Sequence, residues 1–204
     1  MKEQIKKILL KLNLLNIIRR FSFSFSEKQK RKQSVLLDFQ KRFSLNTLIE
    51  TGTYLGDMVY AMRNHFQKIY SIELGKDLYD NALRRFKNER HISILHGDSS
   101  KLLPEILKNI GEPCLFWLDA HDSSGLTAKG DAVTPIIEEL KVIFSHKIKN
   151  HVVLIDDASG FNGKNNYPSL ETLEGIISDR NPDYVLEVRD DIVRIYPSNP
   201  YEKI

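Results

Sequence analysis

Residues 48–57, Leu-Ile-Glu-Thr-Gly-Thr-Tyr-Leu-Gly-Asp, run a short apolar strand straight into a glycine-spaced turn that opens a helix. Leu48 and Ile49 end the strand, and Leu55, Met58, Val59, Met62 and Phe66 then recur at helical spacing. Gly52 and Gly56 supply the backbone freedom that lets a ligand come close where a Cβ would collide. The spacing is acid-x-Gly-x-x-x-Gly, which lacks the first glycine of the G-x-G-x-x-G loop that wraps a pyrophosphate. An acid at Glu50 would repel phosphate. The turn therefore suits a cationic, phosphate-free ligand, with Glu50, Thr51, Gly52, Thr53 and Gly56 as its candidate contacts.

The residues downstream continue the pattern. Ile69-Tyr-Ser-Ile-Glu73 is a second β-rich run ending in a carboxylate roughly twenty residues after the glycine turn, where a doubly wound sheet holds a ribose diol. A third run, 92–96, leads into Gly97-Asp98-Ser99-Ser100. A carboxylate there accepts from an adenine amino group, or else Asp98 or Ser99 simply caps the following helix. Cys114–Leu118 and His151–Ile155 are unbroken apolar runs, as in central parallel strands covered on both faces. Each stops at aspartate: Asp119 after the first, Asp156 and Asp157 after the second. If the strands are neighbours, the three acids meet at the carboxyl edge, where open α/β sheets bind ligands. Crowded carboxylates either take up protons or hold a cation. Hard oxygen ligands with room for water favour Mg²⁺ over zinc. The plainer alternative leaves one aspartate as a helix cap and another solvated.

With these residues in view, the chain from about 43 to 196 resembles the class I S-adenosylmethionine (SAM)-dependent methyltransferases. The likeness rests on Glu50-Thr-Gly-Thr-Tyr-Leu-Gly56, the strand-end Glu73 and the Gly97-Asp98-Ser99 turn. Phe116-Trp-Leu-Asp-Ala-His121 followed by Val153-Leu-Ile-Asp-Asp157 is similar to the metal-dependent O-methyltransferases of the macrocin and catechol type. The resemblance implies SAM held by Glu50, Thr51, Gly52, Thr53, Gly56, Glu73, Asp98, Ser99 and Asp119. It implies Mg²⁺ on Asp119, Asp156 and Asp157, and methyl transfer to a hydroxyl of a small molecule or glycan, a sugar or another polyol. His121 would be the general base beside Asp119. The chain departs from its relatives here: many macrocin-type enzymes carry an acid near that place, and catechol-type enzymes use a lysine and have Asn where Asp157 stands. Two other readings remain open: a metal-independent methyltransferase acting on nitrogen or a small carboxylate, and a catalytically silent SAM-binding subunit.

The coarse map alternates strand and helix, with strands expected at 47–50, 68–73, 92–96, 114–119, 151–156, 184–189 and 192–196. Thr134-Pro135 reads as a helix start, with Ile136, Ile137, Leu140, Ile143 and Phe144 as its buried stripe. Pro168-Ser169 starts another, with Leu170, Leu173, Ile176 and Ile177 facing inward. Asp190-Asp191 separates two β-rich runs closely enough for a hairpin. The expected fold is α/β, a Rossmann-like doubly wound seven-strand sheet with one antiparallel strand, preceded by a basic helix. Two loops, 122–131 and 159–167, flank the expected site. Lys129, Asn162, Lys164 and Tyr167 in them suit a substrate rim or a solvated connection equally. The lone Cys114 sits inside an apolar strand, which excludes an internal disulfide framework and suits a reducing compartment.

Charge divides the chain at residue 42. Residues 1–42 hold 12 Lys or Arg against 3 acids, and the other 162 hold 18 against 24. The expected organisation is therefore a basic helical leader and linker, 1–42, and a catalytic domain, 43–204. In the leader Ile5, Ile8, Leu9, Leu12 and Leu15 share one helical stripe, while Lys11, Arg19 and Arg20 interrupt any spanning run. There is no small-residue cleavage site, so secretion is not expected. A basic, apolar helix followed by Lys28-Gln-Lys-Arg-Lys32 suits an anionic membrane surface at the cytoplasmic face. Docking to a partner protein, or to a second copy as a homodimer, is the alternative for residues 1–32. Nucleic acid is disfavoured, because the domain that follows is acidic.

Overall fold

A computed structural model describes residues 27–119, 134–164, 167–179 and 181–199. The chain divides into two compact units, Met1–Val35 and Leu36–Ile204. In the first, the described residues 27–35 are helical. The second opens with helical residues 36–43, labelled α1, in which Leu36 and Phe39 are buried. The Arg42 guanidinium there lies 4.7 Å from the Tyr196 ring centroid.

The second unit continues as β1 (Thr47–Thr51), α2 (Asp57–Met62), β2 (Lys68–Glu73), α3 (Lys76–Arg85), β3 (Ile92–His96), α4 (Ser99–Leu107) and β4 (Cys114–Leu118). After residues 120–133 come α5 (Ile136–Ser145), β5 (Val152–Ile155), a 3₁₀ turn (Ala158–Gly160), α6 (Leu170–Ser178), β6 (Tyr184–Arg189) and β7 (Ile192–Pro197). The seven strands order as β3-β2-β1-β4-β5-β7-β6. All are parallel except β7, which is antiparallel to both of its neighbours. The expected sheet is therefore the observed one.

Burial explains why the central strands read as apolar runs. Every residue of β1, β4 and β5 is buried, so both faces of these strands are covered. Phe116, Leu118, Val153 and Ile155 join Leu140, Ile143 and Phe144 of α5 and Leu173 and Ile177 of α6 in one core. Each such side chain contributes about 1.5–3 kcal/mol relative to exposure. The helix starts differ in detail from expectation. Pro135 stands at the cap of α5, and Thr134 Oγ1 accepts from the Ile136 N–H at 3.4 Å. Ser169 caps α6 by accepting from Thr172 N. Asp190 and Asp191 both adopt left-handed backbone (φ 57° and 61°), the geometry of a two-residue hairpin turn between Arg189 and its partner Ile192.

The strand order reverses between β1 and β4: the chain winds outward through β2 and β3 on one side, then returns to start β4 on the other. That switch point lies at the carboxyl ends of β1 and β4, the place where open sheets of this kind bind ligands. The opposite, amino edge is tied by two histidines. The Cys114 N–H donates to His151 Nδ1 (3.0 Å), His151 Nε2 meets His146 Nδ1 (2.9 Å), and His146 Nε2 meets the Leu107 carbonyl (2.9 Å). A carbonyl only accepts and an amide only donates, so this chain is satisfied by both rings neutral with the proton on Nε2. No helix among the described residues is long and apolar enough to cross a membrane.

Candidate cofactor site at the carboxyl edge

The turn after β1 continues the sheet before leaving it. The N–H groups of Gly52 and Thr53 both donate to the Ile72 carbonyl, at 2.9 and 3.2 Å. The backbone then passes through left-handed conformations at Gly52 (φ 89°), Tyr54 (48°) and Gly56 (77°), closed by Gly56 N–H on the Thr53 carbonyl at 2.8 Å. Gly56 has a packing reason that its spacing did not reveal. A Cβ there would lie 2.8 Å from Phe86 Cε2, so the glycine lets the turn close onto the end of α3. Arg85 reinforces that contact, donating to the Leu55 carbonyl (2.5 Å) and to Asp57 Oδ1 (2.8 Å).

Acids stand at four consecutive strand ends. Along the edge they are Asp98 after β3, Glu73 ending β2, Glu50 near the end of β1, and Asp119 after β4. Backbone bonds hold the line together: Gly97 N–H donates to the Glu73 carbonyl and Asp119 N–H to the Thr51 carbonyl, both at 2.9 Å. Glu73 is buried, its Oε2 accepting from Tyr54 N–H at 2.7 Å and its Oε1 from Gly75 N–H at 2.8 Å. Each oxygen keeps a second lone pair for a ligand. Asp98 does cap α4: its Oδ1 accepts from the N–H and hydroxyl of Ser100, at 3.0 and 2.7 Å. Burial raises its pKa, but the Ser100 hydrogen bonds and Lys101 outweigh that and hold it below the usual carboxylate value. Ser99, the first residue of α4, is buried beside it.

Glu50 is in a different state. It is 1 % exposed, and its Oε2 accepts a hydrogen bond from Ser71 Oγ, which in turn lies 2.6 Å from Thr53 Oγ1. Burial pushes its pKa up to about 8; the Ser71 bond opposes this, while Asp119 and Glu73 add to it. Thr51, fully buried next to it, has no hydrogen-bond partner for its hydroxyl among the described residues. Ser71 went unnoticed in the sequence. Its signal was a small polar residue inside the apolar run of β2, whose meaning appears only from the register that sets it opposite Glu50.

The carboxylates expected around a metal stand at the ends of two adjacent strands. β4 and β5 are neighbours, and Asp156 N–H donates to the Leu118 carbonyl at 3.1 Å. Among the described residues, however, no group of three His, Cys, Asp or Glu could hold a metal ion. Asp156 is buried and its Oδ1 accepts from the N–H of Asp157 at 2.9 Å, whereas Asp157 takes a left-handed turn (φ 52°) and is exposed. The turn thus splits the pair into two environments. His121 and Lys129 lie outside the described residues. Asn162 Oδ1 accepts from Lys164 N–H at 3.0 Å, and the half-buried Tyr167 ring meets Phe161 edge-on. Lys164 is exposed.

A groove lies elsewhere. About 610 Å³ lies between α4 and α5, floored by Pro104, Leu107 and Val142 and rimmed by Lys108, Lys141 and Lys147. Pro104 and Leu107 belong to the C-terminal half of α4 and Lys141 and Val142 to that of α5, with Lys108 and Lys147 just beyond, at the amino edge of the sheet, so the groove is apart from the acids.

No family model matches the chain, and no curated protein matches it. Solved structures do. The chain is similar to the O-methyltransferase TomG of Streptomyces achromogenes, involved in tomaymycin synthesis and solved with SAM (TM-score 0.59, 13 % identity, covering 82 % of this chain and 79 % of that one). An O-methyltransferase from Bacillus cereus solved with S-adenosylhomocysteine (SAH) gives 0.58 at 12 % identity, over 81 % and 80 % of the two chains. The N-methyltransferase NodS of Bradyrhizobium japonicum gives 0.55 at 14 % identity, over 84 % and 97 %. At these identities the likeness establishes the fold.

Proposed function

We propose that this chain is a SAM-dependent methyltransferase that moves a methyl group to a hydroxyl of a small molecule, a sugar or another polyol. One observation carries the reading: the line of strand-end acids Asp98, Glu73, Glu50 and Asp119 along the edge that contains the switch point, beside the left-handed glycine turn. Four acids without a phosphate-cradling loop suit a cofactor that is cationic and free of phosphate, and structural neighbours have been solved with SAM and SAH.

In this reading Glu73 accepts from the ribose hydroxyls through the second lone pairs of its oxygens, and Asp98 with Ser99 takes the adenine amino group. Glu50 and Asp119 supply negative potential toward the cationic end, and Thr51, Gly52, Thr53 and Gly56 shape the turn. SAM, when bound, supplies an electrophilic methyl on a sulfonium. The protein aligns the acceptor oxygen for in-line attack and removes its proton, with His121 as the base.

The finer, Mg²⁺-assisted version needs Asp119, Asp156 and Asp157 around one ion. The ion would lower the pKa of the acceptor hydroxyl, and no step here runs through it. Residues 43–204 are proposed as the catalytic domain. Within the leader 1–42, residues 1–32 are proposed as an attachment to an anionic membrane surface at the cytoplasmic face, or to a partner protein.

Calorimetry with SAM, SAH and NAD tests the cofactor assignment. Transfer from labelled SAM to a panel of sugar nucleotides and lipid-linked glycans tests the acceptor. Tighter binding of NAD than of SAM would overturn the reading.

A further inference from the structure

Glu50, Ser71 and Thr53 form a chain of three side chains shut away from solvent at the root of the glycine turn, 1 %, 0 % and 3 % exposed. No basic side chain among the described residues forms an ion pair with Glu50. The titratable groups that face it, Glu73 from β2 and Asp119 from the end of β4, carry the same sign. Burial and these two acids together favour the protonated carboxyl, which the shift to about 8 reflects.

The two hydroxyls make both protonation states tenable. When Glu50 is ionised, Thr53 donates to Ser71 and Ser71 donates to the carboxylate. When Glu50 is protonated, the carboxyl donates to Ser71 and Ser71 donates to Thr53. Hydroxyl rotors turn freely between these arrangements, so neither state leaves a buried polar atom unpaired. What separates the two states is charge alone, and Thr53 carries the chain directly into the cofactor turn.

We propose that the Glu50–Ser71–Thr53 chain makes ligand binding proton-linked: a ligand that brings positive charge to the glycine turn is taken up with release of one proton from Glu50, and a ligand of the same shape without that charge is not. The inference rests on the SAM reading and adds regulation to it. Carboxyl plus cation gives a carboxylate–cation pair and a proton in solvent. After methyl transfer the sulfur is a neutral thioether with no charge for Glu50 to balance, so Glu50 takes a proton back; the ammonium that SAM and SAH share is unchanged. The site thereby distinguishes SAM from SAH by charge rather than by shape.

The test is calorimetry of the full chain with SAM and with SAH, in phosphate and in Tris, at pH 7 and pH 9.5. The buffer dependence of the heat counts the protons exchanged. At pH 7 SAM should release up to about one proton more than SAH, and at pH 9.5 the excess should vanish. The ratio of SAM to SAH affinity should rise up to about tenfold per pH unit between pH 6 and 8, then level off. Glu50→Gln should abolish the excess, Ser71→Ala should reduce it, and Ser71→Thr should restore it, a pattern that a merely structural serine would not produce. If SAM and SAH bind with equal proton release at pH 7, whether zero or not, Glu50 does not answer to the sulfonium charge, the proposal is wrong and the cofactor reading stands. If neither binds, both fall. The wild-type comparison decides the matter even where a variant fails to fold.

Discussion

The main-chain N–H of Tyr54 donates to Glu73 Oε2 at 2.7 Å, so the residue proposed to hold a ribose also fastens the glycine turn to the end of β2. Gly75 N–H on Oε1, at 2.8 Å, ties in the start of α3 as well. Glu73→Ala therefore removes two charge-assisted bonds to the backbone and any bond to cofactor. Losing a hydrogen bond to a charged group costs about 1.5–3 kcal/mol. SAM affinity should fall at least about tenfold, and the thermal midpoint should fall too. Glu73→Gln, which can still accept but carries no charge, should recover part of both. Calorimetry and a melt on the same preparations check this; unchanged affinity in the alanine variant would exclude Glu73 as a cofactor contact.

Gly56 faces Phe86 instead of open space. Gly56→Ala adds a Cβ 2.8 Å from Phe86 Cε2 at a residue with φ of 77°. Overpacking and left-handed strain each cost on the order of 1–3 kcal/mol. Pairing it with Phe86→Leu should relieve the collision and leave the backbone strain, so the double variant should melt above Gly56→Ala and below wild type. Equal melting of all three would mean that the turn opens easily.

The parts of this architecture written in the sequence are those set by local pattern. Val152–Ile155 and Cys114–Leu118 read as strands because burial on both faces demands unbroken apolar runs, and each ends where the next residue is an acid. The hairpin was legible because two aspartates tolerate left-handed backbone. Ser71 was not legible, because a serine in a strand acquires meaning only from the partner that register gives it. Nor was the reason for Gly56, which depends on a ring thirty residues away. The turn that buries Asp156 and exposes Asp157 was not legible either, because adjacency in sequence says nothing of the backbone between two residues.

The histidine chain at the amino edge predicts acid sensitivity unrelated to the cofactor site. Burial, His146 and Lys149 push the His151 pKa down from 6.5 to about 3. Burial lowers His146 as well, against its bond to the Leu107 carbonyl and with Lys147 and Lys149 adding to the effect. A depressed folded-state value means that the unfolded chain binds more protons. The contribution is thus complete above pH 6.5 and is lost as pH falls toward 3. His151 alone should reduce stability by on the order of 2 kcal/mol by pH 5. Urea unfolding at pH 5 and pH 7 measures this, and His151→Gln should flatten the difference.

The leader offers a separate test. Deleting residues 1–32 removes 10 Lys or Arg and 2 acids, so attachment to anionic vesicles should drop while SAM affinity is unchanged. Attachment of the full chain should weaken as salt rises. Co-sedimentation that is equal with and without the leader, and indifferent to salt, would favour a docking helix instead.

The role of the aspartates after β5 can be settled by a pair of substitutions that the backbone treats differently. Asp157 is exposed in a left-handed conformation, which Asn tolerates well, so Asp157→Asn changes charge with little effect on stability. Asp156 is buried with Oδ1 accepting from the Asp157 N–H, a bond the Asn carbonyl can keep, so Asp156→Asn should also fold. Under the Mg²⁺-assisted version both variants bind SAM yet lose methyl transfer, and chelator silences the wild type until Mg²⁺ is restored. Under the metal-independent version chelator has no effect and Asp157→Asn retains full activity. His121→Ala should lower the rate by about 10²–10⁴-fold in either case, with partial recovery at higher pH, because a positioned base contributes in that range. Transfer from labelled SAM, measured for the three variants and the wild type with and without chelator, separates the outcomes: full activity in chelator would leave Asp156 and Asp157 as structural residues of the turn.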